Sequence, residues 1–380
     1  MKKARQPLKY QLPILFLGIL FLPLLNSLFG FWTFDRKEEN RNIRNAMGLY
    51  LSNLKNIPND CESYWNDNFP FRSPLLDIFH RFKYHYFNIS PHPDKTIIGS
   101  NDWYFMAFKE MAIYKGEHDF SNNTIQSFER EWRHRINYLD SMDIKMYWVV
   151  APIKHHVYAD KLPLNIIPGD KRRIVQLMDT FSDTINDRII DPVPEMIKIK
   201  ENTKLYYKLD NHWNLRSGQL TTEMLISKIK ADFPKHTFID PPNYQWSDSI
   251  SQIGFHRTVM GIDELSESRQ FPLIEQYSSQ EIEKYGFQNI SGFPYPWEYE
   301  RRFENTSIKD GLRVLFIRDS FGEQMMPFVR EYFKETVFIF DAWQYKLNKT
   351  IIEKVQPDIV VFEGLESNLE HILDFSDLHH

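Results

Sequence analysis

The chain predicts an α/β fold, a three-layer α/β/α sandwich built around a mostly parallel sheet. Short, almost uninterrupted apolar runs recur at 145–152 (KMYWVVAP), 313–320 (RVLFIRDS), 336–342 (TVFIFDA) and 358–364 (DIVVFEG), the pattern of strands buried on both faces. Helical stretches separate them, so successive strands are joined by crossovers and run parallel. The 380 residues are 42% hydrophobic and 26% charged, enough for a sizeable core and unlike a disordered chain.

Composition also excludes several classes. Lys and Arg total 46 against 51 Asp and Glu, a net charge of −5 that lacks the basic field of a general nucleic-acid binder. One cysteine, Cys61, cannot make an internal disulfide, a thiolate zinc site or an iron–sulfur cluster. The 30 Phe, 19 Tyr and 9 Trp point to an aromatic-rich core or to carbohydrate-stacking surfaces.

In chain order, Lys2, Lys3, Arg5 and Lys9 precede an uncharged run from Leu12 to Phe34. A basic flank before a long apolar segment is a membrane-targeting pattern, with the positive side kept in the cytoplasm. The run is 23 residues long, and as a helix it measures about 34 Å against a hydrocarbon core of about 30 Å. No small-residue cleavage pattern accompanies it. Residues 1–34 are therefore expected to be a cytoplasmic stub and an uncleaved signal anchor, one transmembrane helix with Trp32 at the far interface. Everything beyond is then extracytoplasmic, on the periplasmic side of an inner membrane. Residues 35–63 read as a linker with a helical lead-in, and 64–380 as the folded domain.

Within that domain an amphipathic helix is expected after Pro74, then two strands flanking a turn at Ser100–Asp102. Residues 122–142 carry Ile125, Phe128, Trp132, Ile136 and Leu139 at helical spacing. The 145–152 strand leads to a helix at 170–186, strands at 188–193 and 204–210, and a helix at 216–232. The 313–320 strand leads to a helix reaching about Lys334, and a helix at 347–355 precedes the last strand. Residues 233–311, rich in Pro, Tyr and Trp, break the alternation and read as an irregular insertion or small β element. Five N-x-S/T triplets begin at Asn88, Asn122, Asn289, Asn305 and Asn348 and matter only in a glycosylating host.

In an open α/β sheet ligands collect at the carboxyl ends of the strands. RVLFIRDSFGEQM passes straight from strand to helix with Asp319-Ser320-Phe321 at the turn. A serine there holds its hydroxyl at the sheet edge, beside helix amides that receive developing negative charge. A plain helix N-cap at Asp319 or Ser320 is the alternative. KLYYKLDNHWN ends in Asp210-Asn211-His212-Trp213. His212 suits a base for a serine, and Asp210 a carboxylate that fixes its tautomer; a surface role is the alternative. Both motifs stand at strand ends of one expected sheet.

Six segments in order resemble the AlgJ/AlgX group of polysaccharide O-acetyltransferases, the SGNH-hydrolase-like DHHW proteins. They are YWNDNFPFRSPLL (64–76), TIIGSNDWYFM (96–106), VVAPIKHHVYADKLP (149–163), YKLDNHWN (207–214), VLFIRDSFGEQMMPFVREYF (314–333) and KVQPDIVVFEGLE (354–366). The resemblance implies an SGNH-like domain and a Ser-His-Asp triad with Ser320 as nucleophile, His212 as base and Asp210 as orienting carboxylate. It implies action beside a membrane-bound O-acyltransferase that supplies acyl groups. Where the group has Gly before Asp-Ser, this chain has Arg318, which either crowds the turn or offers a guanidinium to an anionic glycan. The short stretch after the last strand leaves no room for the carbohydrate-binding module of AlgX, so the closer resemblance is to AlgJ.

Further residues read two ways. Lys154 lines the site or is a surface lysine, and Trp213 stacks on a sugar or closes the core. Tyr295, Trp297 and Tyr299 alternate at period two, as an aromatic glycan platform or one packed face of a hairpin. Glu363 reaches the pocket or makes a structural hydrogen bond. His155 and His156 are adjacent on an extended segment, point to opposite sides and have no HExxH partner, so no metal is assigned. No soluble cofactor is implied.

These readings give an extracytoplasmic serine O-acyltransferase that acetylates hydroxyls of an exported or cell-surface polysaccharide. A carbohydrate esterase shares the chemistry with water as acceptor. A non-catalytic, membrane-anchored scaffold of a polysaccharide-export complex is the reading from another class, and Arg318 keeps it open. The expected partners are a polysaccharide acceptor, the acyl-donating membrane protein and the membrane itself, with no nucleic acid.

Overall fold

A computed structural model of the chain describes residues 8–30, 57–68, 72–239, 244–376 and 378. They form two compact units, one ending at Pro91 and one beginning at His92. The first unit holds helices Leu8–Phe29, Ile57–Asn68 and Arg72–Phe87. Leu12, Ile14, Leu15, Phe16, Ile19 and Phe29 are exposed on the first of these. Among the described residues no helix is long and apolar enough to cross a membrane. The last residues of the expected anchor, with Trp32, and the linker up to residue 56 lie outside the described residues.

The second unit contains the strands, β1 (Thr96–Ile98), β2 (Tyr104–Met106), β3 (Lys145–Ala151), β4 (Ile189–Ile190), β5 (Gln245–Ser251), β6 (Glu267–Leu273), β7 (Ser279–Glu281), β8 (Glu300–Asn305), β9 (Arg313–Arg318), β10 (Glu335–Phe340) and β11 (Ile359–Leu365). Seven of them make the main sheet in the order β4-β3-β11-β9-β10-β8-β7. The first five of that order are parallel, whereas β8 and β7 add an antiparallel edge. The sheet is thus mixed, and mostly parallel as expected, with four parallel pairings and two antiparallel ones at one edge.

Alternation along the central strands builds two cores. Tyr147, Val149, Val314, Phe316, Phe338 and Val361 face Leu225, Ile226 and Ile229 of the helix Leu215–Asp232. Trp148, Val150, Leu315, Ile317, Val337 and Phe362 face Phe128, Trp132, Ile136 and Leu139 of the helix Asn122–Asp140. Because each face is covered, these strands carry no polar side and read as continuous apolar runs. The outcome is the expected α/β/α sandwich.

Three local expectations are corrected. KLYYKLD (204–210) is not a sheet strand; its one ladder contact is an isolated bridge between Tyr206 and Trp213. Leu205, Tyr206 and Leu209 are buried all the same, because an apolar, aromatic-rich run reports a half-buried surface, not membership of a sheet. The helix expected at 170–186 is split into Arg173–Met178 and Asp183–Asn186. The Asn186 amide donates to the carbonyls of Met178 and Phe181, satisfying the end of the first helix where the break falls. After Ser320 the chain makes a 3-10 turn, Phe321–Gln324, and then the short helix Met326–Val329. Pro327 has no N–H to continue a helix from the preceding turn and sits in the first turn of a new one. The insertion at 233–311 contributes the β5–β6 hairpin, a helix Phe255–Met260 and both antiparallel edge strands. Charged residues such as Arg301, Arg302 and Glu304 hide the strand period of β8.

Candidate active site

β9 lies at the centre of the sheet between β11 and β10, so its carboxyl end opens at the middle of the strand edge. Asp319 leaves the strand buried, and each of its carboxylate oxygens is held. Oδ1 accepts from the Phe321 amide at 2.7 Å, and Oδ2 from the Tyr345 hydroxyl at 2.7 Å and the Leu365 amide at 2.8 Å. Beneath it, Glu363 Oε2 accepts from the Asp319 amide at 3.2 Å. A Cβ at Gly322 would come within 2.6 Å of that oxygen and 2.7 Å of Arg318 Cβ, so this close approach needs glycine. Burial raises the pKa values of both acids, and the charge on Asp319 raises Glu363 further. With three donors on Asp319 the shared proton belongs on Glu363.

The Ser320 hydroxyl meets His212 Nε2 at 2.9 Å, and His212 Nδ1 meets Asp210 Oδ1 at 2.6 Å. A carboxylate accepts, so Nδ1 carries the proton and Nε2 is free to accept from Ser320. The His212 amide donates to Asp210 Oδ1 at 3.1 Å, and the Phe255 amide to Oδ2 at 3.1 Å. Burial alone would raise Asp210, but the hydrogen bond and charge of His212 and these two amides outweigh it and hold the carboxyl well below its usual range. Burial disfavours the His212 imidazolium, and the Asp210 carboxylate more than offsets it, raising the pKa of His212.

His212 is held by a loop and not by the sheet. The Tyr206–Trp213 bridge closes that loop, and the Tyr207 amide donates to the His212 carbonyl at 3.2 Å. Asn214 then caps the helix Leu215–Asp232, accepting from the Arg216 and Ser217 amides at 3.0 and 3.3 Å. Trp213 Nε1 donates to the Phe321 carbonyl at 2.7 Å, tying this loop to the serine turn. Gly218 carries the same helix onto that turn. A Cβ there would lie 1.9 Å from the Gln324 carbonyl oxygen.

The other sequence candidates resolve individually. Trp213 is fully buried and closes the core. Lys154 is also buried, not a surface residue, and donates to the Tyr104 and Lys208 carbonyls at 2.7 and 3.3 Å. Burial pulls it down to about 7, against the opposing pull of Asp210, Glu267 and Glu110. Arg318 neither crowds the turn nor faces a ligand. Its guanidinium is buried, donates to Glu298 at 2.9 Å and to the Asp319 carbonyl at 3.1 Å, and lies over the Phe340 ring. Glu363 makes the structural bond. His155 and His156 lie on a short helix, Lys154–Val157, not on an extended segment, and burial drives both down to about 3. Among the described residues no cluster of metal-ligating side chains is present.

Two participants escaped the sequence. Glu110, on the helix Lys109–Tyr114, is buried beside Lys154, Asn211 and His212, and burial raises it to about 7. Tyr345 reaches Asp319 from a loop in which Ala342, Trp343 and Tyr345 all have φ between 51° and 61°. That costly backbone is braced by the Asp341 carboxylate, which accepts from the Gln344 and Lys346 amides at 3.2 and 2.9 Å. Neither residue lies near a recognisable motif, and only the folded chain brings them to the site.

Residues 96–284 match the family model of the SGNH hydrolase-like domain of acetyltransferase AlgX. Lys154, Asp210 and His212 fall inside the matched stretch and Ser320 beyond it, so Ser320 is assigned on geometry. Among solved structures, Bacillus cereus PatB1 with a sulfonyl adduct is similar at a TM-score of 0.53 and 17% identity, covering 72% of this chain and 96% of that one. A second Bacillus cereus PatB1 structure gives 0.52 at 16% identity, over 72% and 97% of the two chains. At such identities the likeness is one of fold. The O-acetyltransferase domain of Pseudomonas putida AlgJ follows at 0.44 and 11% identity, over 75% and 95%. No curated protein matches by sequence. Residues 96–284 are thus an SGNH hydrolase-like domain of the acetyltransferase AlgX family.

Proposed function

We propose that the protein is an extracytoplasmic serine O-acyltransferase that acetylates hydroxyls of an exported or cell-surface polysaccharide. The observation that carries this reading is the line from Ser320 Oγ to His212 Nε2 at 2.9 Å and from His212 Nδ1 to Asp210 at 2.6 Å. A domain whose family model is that of an acetyltransferase supports the acyl chemistry. The basic flank and the apolar run from Leu12 to Phe34 support the membrane anchor.

In this mechanism Ser320 Oγ attacks the carbonyl carbon of an acyl donor while its proton passes to His212 Nε2. The amides of Asp319 and Phe321 donate to carboxylates, and the oxyanion donor assigned at this turn is the Ser320 amide. The tetrahedral species collapses, the bond to the donor's leaving oxygen breaks, and His212 returns its proton to that oxygen. A sugar hydroxyl then gives its proton to His212 and attacks the acyl-Ser320 ester. Collapse leaves the acylated glycan, and the proton returns to Ser320 Oγ. A membrane-bound O-acyltransferase is the proposed donor.

Arg318, the residue that keeps a scaffold reading open, is engaged by Glu298 and leaves the turn clear. The test is the acetyl content of the surface polysaccharide in cells carrying Ser320→Ala. Acetylation lost as fully as in a deletion strain is expected. Acetylation intact in Ser320→Ala but lost on deletion would make the protein a scaffold.

A further inference from the structure

The alternation of Tyr295, Trp297 and Tyr299 turns out not to be one packed face. Tyr299 is buried, whereas Tyr295 is 43% and Trp297 62% exposed, on and beside a 3-10 turn, Pro296–Glu298. The two exposed rings stand at right angles, 85° with centroids 5.9 Å apart. Tyr295 lies nearly parallel to Phe340, 17° at 6.4 Å, and Phe340 is wedged edge-on against Phe293 and Trp343. The Lys284 ammonium donates to the Trp297 carbonyl at 3.2 Å. Rings held this way lose little further freedom when something stacks on them.

Their position links them to Ser320. Phe340 ends β10 and pairs in register with Arg318, the last residue of β9. Arg318 Nη2 donates to Glu298 Oε2 at 2.9 Å, fastening the residue after Trp297 to the residue two before Ser320. The shelf is therefore built from the carboxyl end of the strand next to the nucleophile's, the edge where open α/β sheets bind ligands. Two adjacent exposed aromatic rings on a braced support offer an apolar surface that a ring-shaped ligand can cover. The neighbouring guanidinium and carboxylate neutralise one another, so the shelf reads apolar faces, not charge.

We infer that Tyr295 and Trp297 form an acceptor subsite that stacks the C–H face of a pyranose ring and holds the polymer while a hydroxyl reaches acyl-Ser320. This rests on the acyltransferase reading. Stacking without directional hydrogen bonds tolerates many sugars in successive registers, which suits a polymer acceptor.

The test uses the full-length chain with chitopentaose and cellopentaose as probes, titrated by isothermal calorimetry and by saturation-transfer NMR. Both oligosaccharides bind wild type, Trp297→Ala weakens binding about ten-fold, and Trp297→Tyr, which keeps a ring, stays within about three-fold of wild type. Binding is unchanged by salt, as neutral stacking requires. Failure of both oligosaccharides to bind, or equal binding to wild type and Trp297→Ala, overturns the subsite, as does a probe that binds Trp297→Tyr no better than Trp297→Ala. An acyl adduct on Ser320 measured in the same preparation separates the two readings. Adduct without glycan binding removes the subsite alone, and glycan binding without adduct removes the catalytic reading alone.

Discussion

The serine turn and the histidine loop reach the same point by different means. Ser320 stands two residues past the end of β9, a strand flanked on both sides by hydrogen-bonded neighbours, so sheet register sets its position. His212 hangs on a loop outside the sheet, set by the Tyr206–Trp213 bridge, the Asn214 cap, the Phe255 amide on Asp210 and the Trp213 bond to Phe321. One half is rigid through a cooperative ladder and the other through a handful of separate hydrogen bonds. Damage to the loop should therefore cost geometry before it costs stability, and damage to the turn the reverse.

The largest expected effect is at Asp210. Asp210→Asn removes the acceptor that fixes the His212 tautomer, and ester turnover is expected to fall about 10⁴-fold with little change in Tm. The pH profile sharpens this. His212 must be neutral to act as base, so turnover rises with pH, with a midpoint above the ordinary histidine value of 6.5 because the Asp210 carboxylate outweighs burial. In Asp210→Asn the residual activity shifts its midpoint downward; a midpoint that does not move would show that the carboxylate is not coupled to the base.

Gly218→Ala attacks the junction of the two regions. Its Cβ would lie 1.9 Å from the Gln324 carbonyl oxygen, so the helix must back away from the serine turn. Overpacking of this kind costs about 1–3 kcal/mol by denaturant unfolding, and the same displacement lowers kcat by about ten- to a hundred-fold. Wild-type kcat in this variant would mean that the helix does not position the base. Trp213→Phe removes the Nε1 bond to Phe321 and part of a fully buried ring, and should cost at least about 2 kcal/mol together with about ten-fold in kcat.

The smallest effect tests the turn alone. Glu363 keeps its proton in the folded chain, whereas the unfolded chain releases it above the ordinary value of 4.5. Wild-type stability contributed by this group is complete below that pH and is lost as pH rises toward the folded pKa. Glu363→Gln does not titrate, so it gains on wild type by up to about 1.4 kcal/mol for each pH unit across that window. Chemical denaturation at several pH values measures it, and parallel stability curves would place the proton elsewhere.

The same contrast explains what the sequence discloses. β3, β9, β10 and β11 are buried on both faces, and that burial writes continuous apolar runs anyone can read, together with Ser320 at the end of one. Asp210 and His212 are legible as a motif but not in their setting. Leu205, Tyr206 and Leu209 belong to an apolar run that reads like a strand while packing into a loop. Glu110, Glu298 and Tyr345 enter through contacts across long sequence separations, and no local pattern encodes those. The packing of Trp213 and Lys154, each read two ways from sequence, is decided by tertiary burial alone.

The most direct test of Ser320 as nucleophile is intact-mass analysis of the full-length protein after exposure to an activated acetyl ester, beside Ser320→Ala and His212→Ala. The expected result is a single acetyl adduct that peptide mapping places on Ser320 and that neither variant forms. An adduct that persists in Ser320→Ala, or folded wild-type protein that forms none and turns over no ester, would contradict it.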